Sequence, residues 1–174
     1  MQFLRRYKMS VSINTFLPHE WQRYRDLRLR ALADSPDAFG STLAHEQRRT
    51  DDEWAARLIN ASTSRADLPL VARVRGQAAG LAWAKINPLD HKVVNLYQMW
   101  VAPEFRQLGV GQLLLNRAID WAREVNAQSM MLGVTCSNSA ALRLYTRTGF
   151  VAVGDPELLR AGATLSSQTM QLFL

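Results

Sequence analysis

The sequence predicts an α+β domain three layers deep (α/β/α), with a mixed, mostly antiparallel central sheet of about six to seven strands. Three observations carry this expectation. Short aliphatic and β-branched runs alternate along the chain with segments whose apolar residues recur at helical spacing. Two of the runs are joined by a tight turn at Gly76 and Gln77, which makes them antiparallel neighbours. The chain has 174 residues, 48% of them apolar and 21% charged, which suits one soluble domain with a full core.

The elements follow in order. Residues 11–16 alternate weakly ahead of Pro18 and read as a strand. Residues 21–32 read as a helix, with Tyr24, Leu27, Ala31 and Leu32 on its apolar face and Arg23, Arg25, Arg28 and Arg30 largely on the other. The stretch ADSPDAFGST breaks that helix at Pro36 and Gly40. Asp51 or Asp52 is the expected cap of a second helix running through Ile59, and Asp52 and Glu53 suit the positive end of its dipole. Residues 70–75, 79–86 and 93–101 are three strands, the last ended by Pro103, which cannot donate to a ladder. Val110, Leu114, Ala118, Trp121 and Val125 then mark a helix. A strand over 130–135 and a helix over 137–147 follow, with Gly149 in the left-handed stop position. Residues 150–153 and 167–173 close as strands. Residues 1–8 read as a flexible extension and 9–174 as a single domain.

Composition narrows the function. No apolar run approaches the roughly 20 residues of a membrane span, and no secretory signal follows the basic first residues. Cys136 is the one cysteine, so no internal disulfide forms and a cytoplasmic location fits. Its bland reading is a small packed side chain. The net charge is +6, with 18 arginines among the 21 basic residues. This favours anionic partners, but the arginines are scattered and show no nucleic-acid pattern. His19, His45 and His91 lack zinc spacing, so no metal is expected.

The chemistry concentrates in RQLGVGQ, residues 106–112, between a strand and a helix. Helix-start N–H groups lack internal partners and sit at the positive end of the dipole, so they attract anions. Glycine lets a phosphate approach, and Arg106 offers a two-pronged donor. A phosphate-binding Walker loop requires Lys-Ser/Thr after its glycine, but Gln112 and Leu113 follow Gly111. A dinucleotide fingerprint requires a third glycine where Leu114 stands. Alone, the two glycines are equally a structural turn. Downstream, NSAALRLYTRTGF places Asn138, Ala141 and Tyr145 near one helix face. Alone, Tyr145 is better explained by core packing.

Together, MWVAPEFRQLGVG and NSAALRLYTRTGF resemble the GNAT superfamily of acetyl-coenzyme A-dependent N-acetyltransferases, whose R/Q-x-x-G-x-G/A motif reads here Arg106, Gly109, Gly111. LRLRALADSPDAFGST is similar to the amino-terminal part of many bacterial members. The resemblance implies that acetyl-coenzyme A lies in a V-shaped gap between the strands holding residues 96–101 and 130–135. Met99, Trp100 and Val101 would border the pantetheine arm, with the Val101 N–H polarising the thioester carbonyl. Gln107, Leu108, Gly109, Val110, Gly111 and Gln112 would cradle the pyrophosphate beside Arg106. Asn138 and Ala141 would hold the arm, and Tyr145 would be the general acid. Arg143 or Arg147 would approach the 3′-phosphate. Some relatives place a catalytic glutamate where Asn95 stands, which leaves a water relay, Asp90, His91 or Glu46 for the base.

Phe39, Gly40, Ser41, Thr42, Tyr97 and the loop over 87–91 would line the acceptor side. The implied reaction is direct transfer to a primary amine of a small molecule or amino acid derivative, by a monomer or homodimer. A protein N-terminus or lysine is an alternative acceptor. A coenzyme A-binding sensor or a toxin-type acetyltransferase module is an alternative role.

Overall fold

Alternation along the central strands sends successive side chains into two separate hydrophobic cores, one on each face of the sheet. In the strand that carries them, Leu70 and Ala72 enter one core and Val71 the other. A computed structural model describes residues 10–174; the extension expected over 1–8 lies outside the described residues. The strands are β1 (Val11–Thr15), β2 (Asp67–Val74), β3 (Gln77–Ile86), β4 (Val93–Val101), β5 (Ser129–Thr135), β6 (Val151–Ala152), β7 (Glu157–Leu158) and β8 (Ser166–Phe173). The helices are α1 (Trp21–Asp34), α2 (Leu43–Glu46), α3 (Asp51–Ser64), α4 (Val110–Glu124) and α5 (Ser139–Thr148).

The sheet runs β1-β2-β3-β4-β5-β8-β6, with β7 also on β8. The β4–β5 pair is parallel, and the other pairs are antiparallel. The expected mixed, mostly antiparallel three-layer domain is what the chain forms. The eighth strand, β7, is two residues long and too short to show a periodicity in sequence.

One core packs α4 against the sheet through Val110, Leu114, Leu115, Ala118 and Trp121, and extends to Tyr145 and Phe150 of the α5 region. The other packs α1 and α3 against the opposite face through Tyr24, Leu27, Leu32, Trp54, Leu58, Trp83 and Trp100.

Four local expectations need correction. The turn between β2 and β3 is Arg75-Gly76, both at positive φ, and Gln77 already pairs with Val74. That is the two-residue geometry matching the twist of the flanking strands. The cap of α3 is Thr50: its Oγ1 accepts from the Glu53 N–H at 3.2 Å, and Glu53 Oε2 accepts from the Thr50 N–H at 2.7 Å. The helix it starts runs past Ile59 to Ser64. β2 begins at Asp67, before Leu70. Finally, Arg28 does not share the solvent face of α1: it is buried, one turn from Tyr24 and one from Leu32.

Candidate active site

The site begins with one extra residue in β4. Trp83 pairs with Tyr97 and Leu81 with Trp100, so two steps on β3 face three on β4. This is a β-bulge, which bends its strand. Gln98, inside it, has φ 57, a conformation that is strained without glycine. The Tyr24 hydroxyl of α1 donates to Gln98 Oε1 at 2.9 Å and holds the bulge from the helix layer.

The bend has a direct result. β4 and β5 pair from Val93↔Ser129 to Leu96↔Leu132 and then part, although both strands continue. β5 stays on β8 as far as Thr135↔Ser167. Its end is tied across the gap by the Thr135 hydroxyl, which donates to the Asp37 carbonyl at 2.6 Å. The edge of β4 beyond Leu96 therefore has no strand beside it on the β5 side, a form that accepts an extended ligand as an added strand.

A cavity of about 670 Å³ occupies the gap, lined among others by Met99, Thr135, Asn138, Ala141 and Tyr145. Tyr145 is 5% exposed and packs edge-on to Phe150 at 5.7 Å between ring centroids. Burial raises its hydroxyl pKa well above the ordinary tyrosine value, so it stays protonated. Asn138 caps α5: its Oδ1 accepts from the Ala141 N–H at 3.2 Å. This leaves the Asn138 amide donors for a ligand.

The loop beside the gap turns through positive φ at Gln107 (62) and Gly109 (79). Gly109 caps α4 without a side-chain bond, and the first intrahelical bond runs from the Leu113 N–H to Gly109 O. The N–H groups of Val110, Gly111 and Gln112 thus have no partner within the helix and no side-chain cap. A Cβ on Gly109 would meet nothing within 4 Å, so the space beside it is open. A Cβ on Gly111 would touch Leu144, Met99 and Val101 at 3.5–3.7 Å, which shows how closely α4, α5 and β4 converge there. An open β4 edge, a buried protonated tyrosine and an uncapped helix start can together take an extended ligand with an anionic group.

A family model for the acetyltransferase (GNAT) family matches residues 21–150. This chain belongs to the GNAT acetyltransferase family.

The match takes in α1 as well as the loop and α5. The mycothiol acetyltransferase of Stackebrandtia nassauensis is 31% identical over 143 residues, covering 80% of this chain and 44% of that protein. The GNAT chain thus spans less than half the length of the curated relatives it matches. Among solved structures, a putative acetyltransferase of Salmonella typhimurium with its cofactor acetyl-CoA aligns with a TM-score of 0.79 and 21% identity, over 95% of this chain and 94% of that one. Spermidine N-acetyltransferase of Vibrio cholerae, in complex with CoA and spermine, aligns with a TM-score of 0.76 and 20% identity, over 94% and 95%. At these identities the structural likeness speaks for the fold.

Several residues of this GNAT domain sit differently from the sequence expectation. Part of the Arg106 fork is engaged within the fold. Its Nη2 bonds Asp34 Oδ2 at the end of α1, and its Nε donates to Val101 O at 3.0 Å. Arg106 is therefore a strut between the loop, β4 and α1. Trp100 turns its side chain into the α1–α3 core, where Nε1 donates to the same Asp34 Oδ2 at 2.8 Å. Arg143 and Arg147 lie on the exposed side of α5.

Of the residues weighed as base, Asp90 and His91 are exposed between β3 and β4, away from the cavity lining. Glu46 is buried and committed to Arg49 Nε at 2.7 Å and Arg57 Nη1 at 3.1 Å. On the acceptor side the cavity does collect Phe39, Gly40, Ser41 and Tyr97. It also collects residues that the sequence reading passed over: Arg28, Arg57, Asp67, Trp83 and Lys85. Asp67 Oδ1 accepts from Trp83 Nε1 at 2.8 Å and lies 3.8 Å from Lys85 Nζ. Among the described residues no group of three or more His, Cys, Asp or Glu could hold a metal ion.

Proposed function

We propose that this chain transfers the acetyl group of acetyl-coenzyme A directly to a primary amine of a small molecule or amino acid derivative. The observation that carries this is the cavity in the β4–β5 gap, which reaches Tyr145 and Asn138 on one side and Phe39, Arg57 and Trp83 on the other. Donor and acceptor can thus meet without a covalent enzyme intermediate. The names of the mycothiol and spermidine acetyltransferases among the similar proteins support an amine as the acceptor.

When bound, acetyl-coenzyme A supplies an activated carbonyl and a thiolate leaving group. The Val101 N–H, on the freed edge of β4, is the donor placed to polarise that carbonyl. The uncapped N–H groups of Val110, Gly111 and Gln112 hold the pyrophosphate with the open side of Gly109 facing it. Asn138 orients the pantetheine arm through its free amide donors. Tyr145 would give its hydroxyl proton to the departing thiolate and regain one through water from the amine nitrogen as the amide forms.

The test is release of free thiol from acetyl-coenzyme A across a panel of primary amines. Release with at least one amine is expected. Binding of acetyl-coenzyme A without release for any amine would reduce the chain to a coenzyme-binding module.

A further inference from the structure

Arg28 is the one polar side chain of the described residues that is buried with unpartnered nitrogens. It is 2% exposed, and its Nε and Nη1 have no hydrogen-bond partner among the described residues. It also lines the acceptor half of the cavity. Its guanidinium lies over the Phe39 ring, with Cζ 4.5 Å from the centroid. That contact holds the guanidinium against an aromatic wall of the same cavity, with its donors unspent.

The nearby charges balance it only in part: Glu46 attracts Arg28 through space but gives it no hydrogen bond. Glu46 is buried behind the same layer, but its carboxylate is already bonded to Arg49 and Arg57. Among the charged residues lining the cavity, Arg28, Arg57 and Lys85 face the single carboxylate of Asp67. That carboxylate is held by Trp83 and Lys85. The acceptor half is therefore short of negative charge. An unpaired buried cation costs several kcal/mol. A packing role alone needs no charge, since an apolar residue of similar volume does it as well or better.

Resting on the acetyltransferase reading above, we infer that the acceptor is an amine that also carries a carboxylate, and that Arg28 binds that carboxylate. The planar fork matches a carboxylate through two parallel hydrogen bonds. The rings of Phe39, Trp83 and Tyr97 line the same space and give the rest of an amino acid an apolar surface to lie on. Arg28 is thus a specificity residue on the acceptor side, away from the loop and helix assigned to the coenzyme.

The experiment compares free amino acids with their carboxamides as acceptors, pair by pair, on the wild type and on Arg28→Met and Arg28→Lys. A carboxamide's amine is less basic, so the chemistry by itself favours the amide. The wild type is expected to prefer the acids by at least about tenfold in kcat/KM. Arg28→Met brings that ratio to one or below, and Arg28→Lys, which keeps the charge without the fork, keeps part of the preference for the acid. Equal use of acids and amides by the wild type overturns the inference while leaving the acetyltransferase reading standing. So does a ratio that Arg28→Met leaves unchanged.

A second readout does not require turnover. With coenzyme A present, amino acids raise the Tm of the wild type more than their carboxamides do, and this difference is absent in Arg28→Met. Equal shifts for acid and amide in the wild type also overturn the inference. Thiol release with no member of the panel, alongside carboxylate-dependent Tm shifts, instead counts against the acetyltransferase reading and leaves the Arg28 site in place.

Discussion

Tyr145 and Gly109 show how much a single position can decide. Burial keeps the Tyr145 hydroxyl protonated, so it holds a proton to give, and the same burial makes it a weaker acid than a solvated tyrosine. Tyr145→Phe keeps the ring packing on Phe150 and removes only the hydroxyl. It should lower kcat by about 100-fold or more, with the acetyl-coenzyme A Kd changed little in calorimetry. An unchanged kcat would take the proton away from Tyr145. Gly109 has φ 79 with open space where a Cβ would stand. Gly109→Val costs roughly 1–2 kcal/mol of backbone strain and places methyl groups in that space. Calorimetry should show acetyl-coenzyme A binding weakened at least about tenfold, and unaltered affinity would mean that the phosphates sit elsewhere. Both positions were singled out in sequence because their motifs are local: the chain itself sets the spacing from Arg106 to Gly111 and from Asn138 to Tyr145. Arg28 was not. The helical pattern counted an arginine as outward, although its distance of one turn from both Tyr24 and Leu32 placed it on the apolar stripe.

At the scale of elements, the bulge in β4 links the two halves of the site. It is held on one side by Tyr24 and closely backed on the other by β3. A Cβ on Gly80 would lie 2.6 Å from the Trp100 carbonyl oxygen and 3.3 Å from Val101 Cα, so the backbone would have to move. Gly80→Ala should cost about 2 kcal/mol of stability, measured by urea unfolding. It should also reduce kcat, because the displaced segment carries the Val101 N–H. Full stability would show that β3 gives way freely. The splay itself was expected from family resemblance, yet its cause was hidden. Positive φ at a glutamine leaves no mark in composition, and the Tyr24–Gln98 bond spans residues far apart in sequence. Asp67 was missed for a related reason: a polar residue at the head of β2 interrupts the apolar run by which a strand is read. The capping box of α3 was legible as Thr50 and Glu53, three residues apart, but the acidic pair after Thr50 drew the assignment inward.

Across the whole molecule, three carboxylates tie the α1–α3 layer together. Burial by itself raises Glu46, but the hydrogen bond from Arg49 and the charges of Arg57 and Arg49 outweigh it, so its pKa falls below 4.5. Glu20 and Asp34 are lowered in the same way, against burial: Glu20 by the Leu17 N–H and Arg73, and Asp34 by Ser35, Trp100 and Arg106. A carboxylate with a depressed folded pKa stabilises above its unfolded value and loses that contribution as pH falls through the folded one. Glu46→Gln should therefore lower stability by about 2 kcal/mol near neutral pH. The gap to the wild type should close as pH drops below about 4.5, read from unfolding curves at stepped pH. A gap that widens on acidification would reverse the sign assigned to Glu46. The sheet that separates this layer from α4 has a further consequence. Because each face owns its core, the chain resembles two half-molecules sharing a wall, with Arg28 set in one half and the helix start at Gly109 in the other. Exchanging residues 21–64 for those of another family member therefore alters the acceptor half, and it spares the coenzyme half only where Tyr24 and Asp34, which brace the β4 bulge and Arg106, are kept.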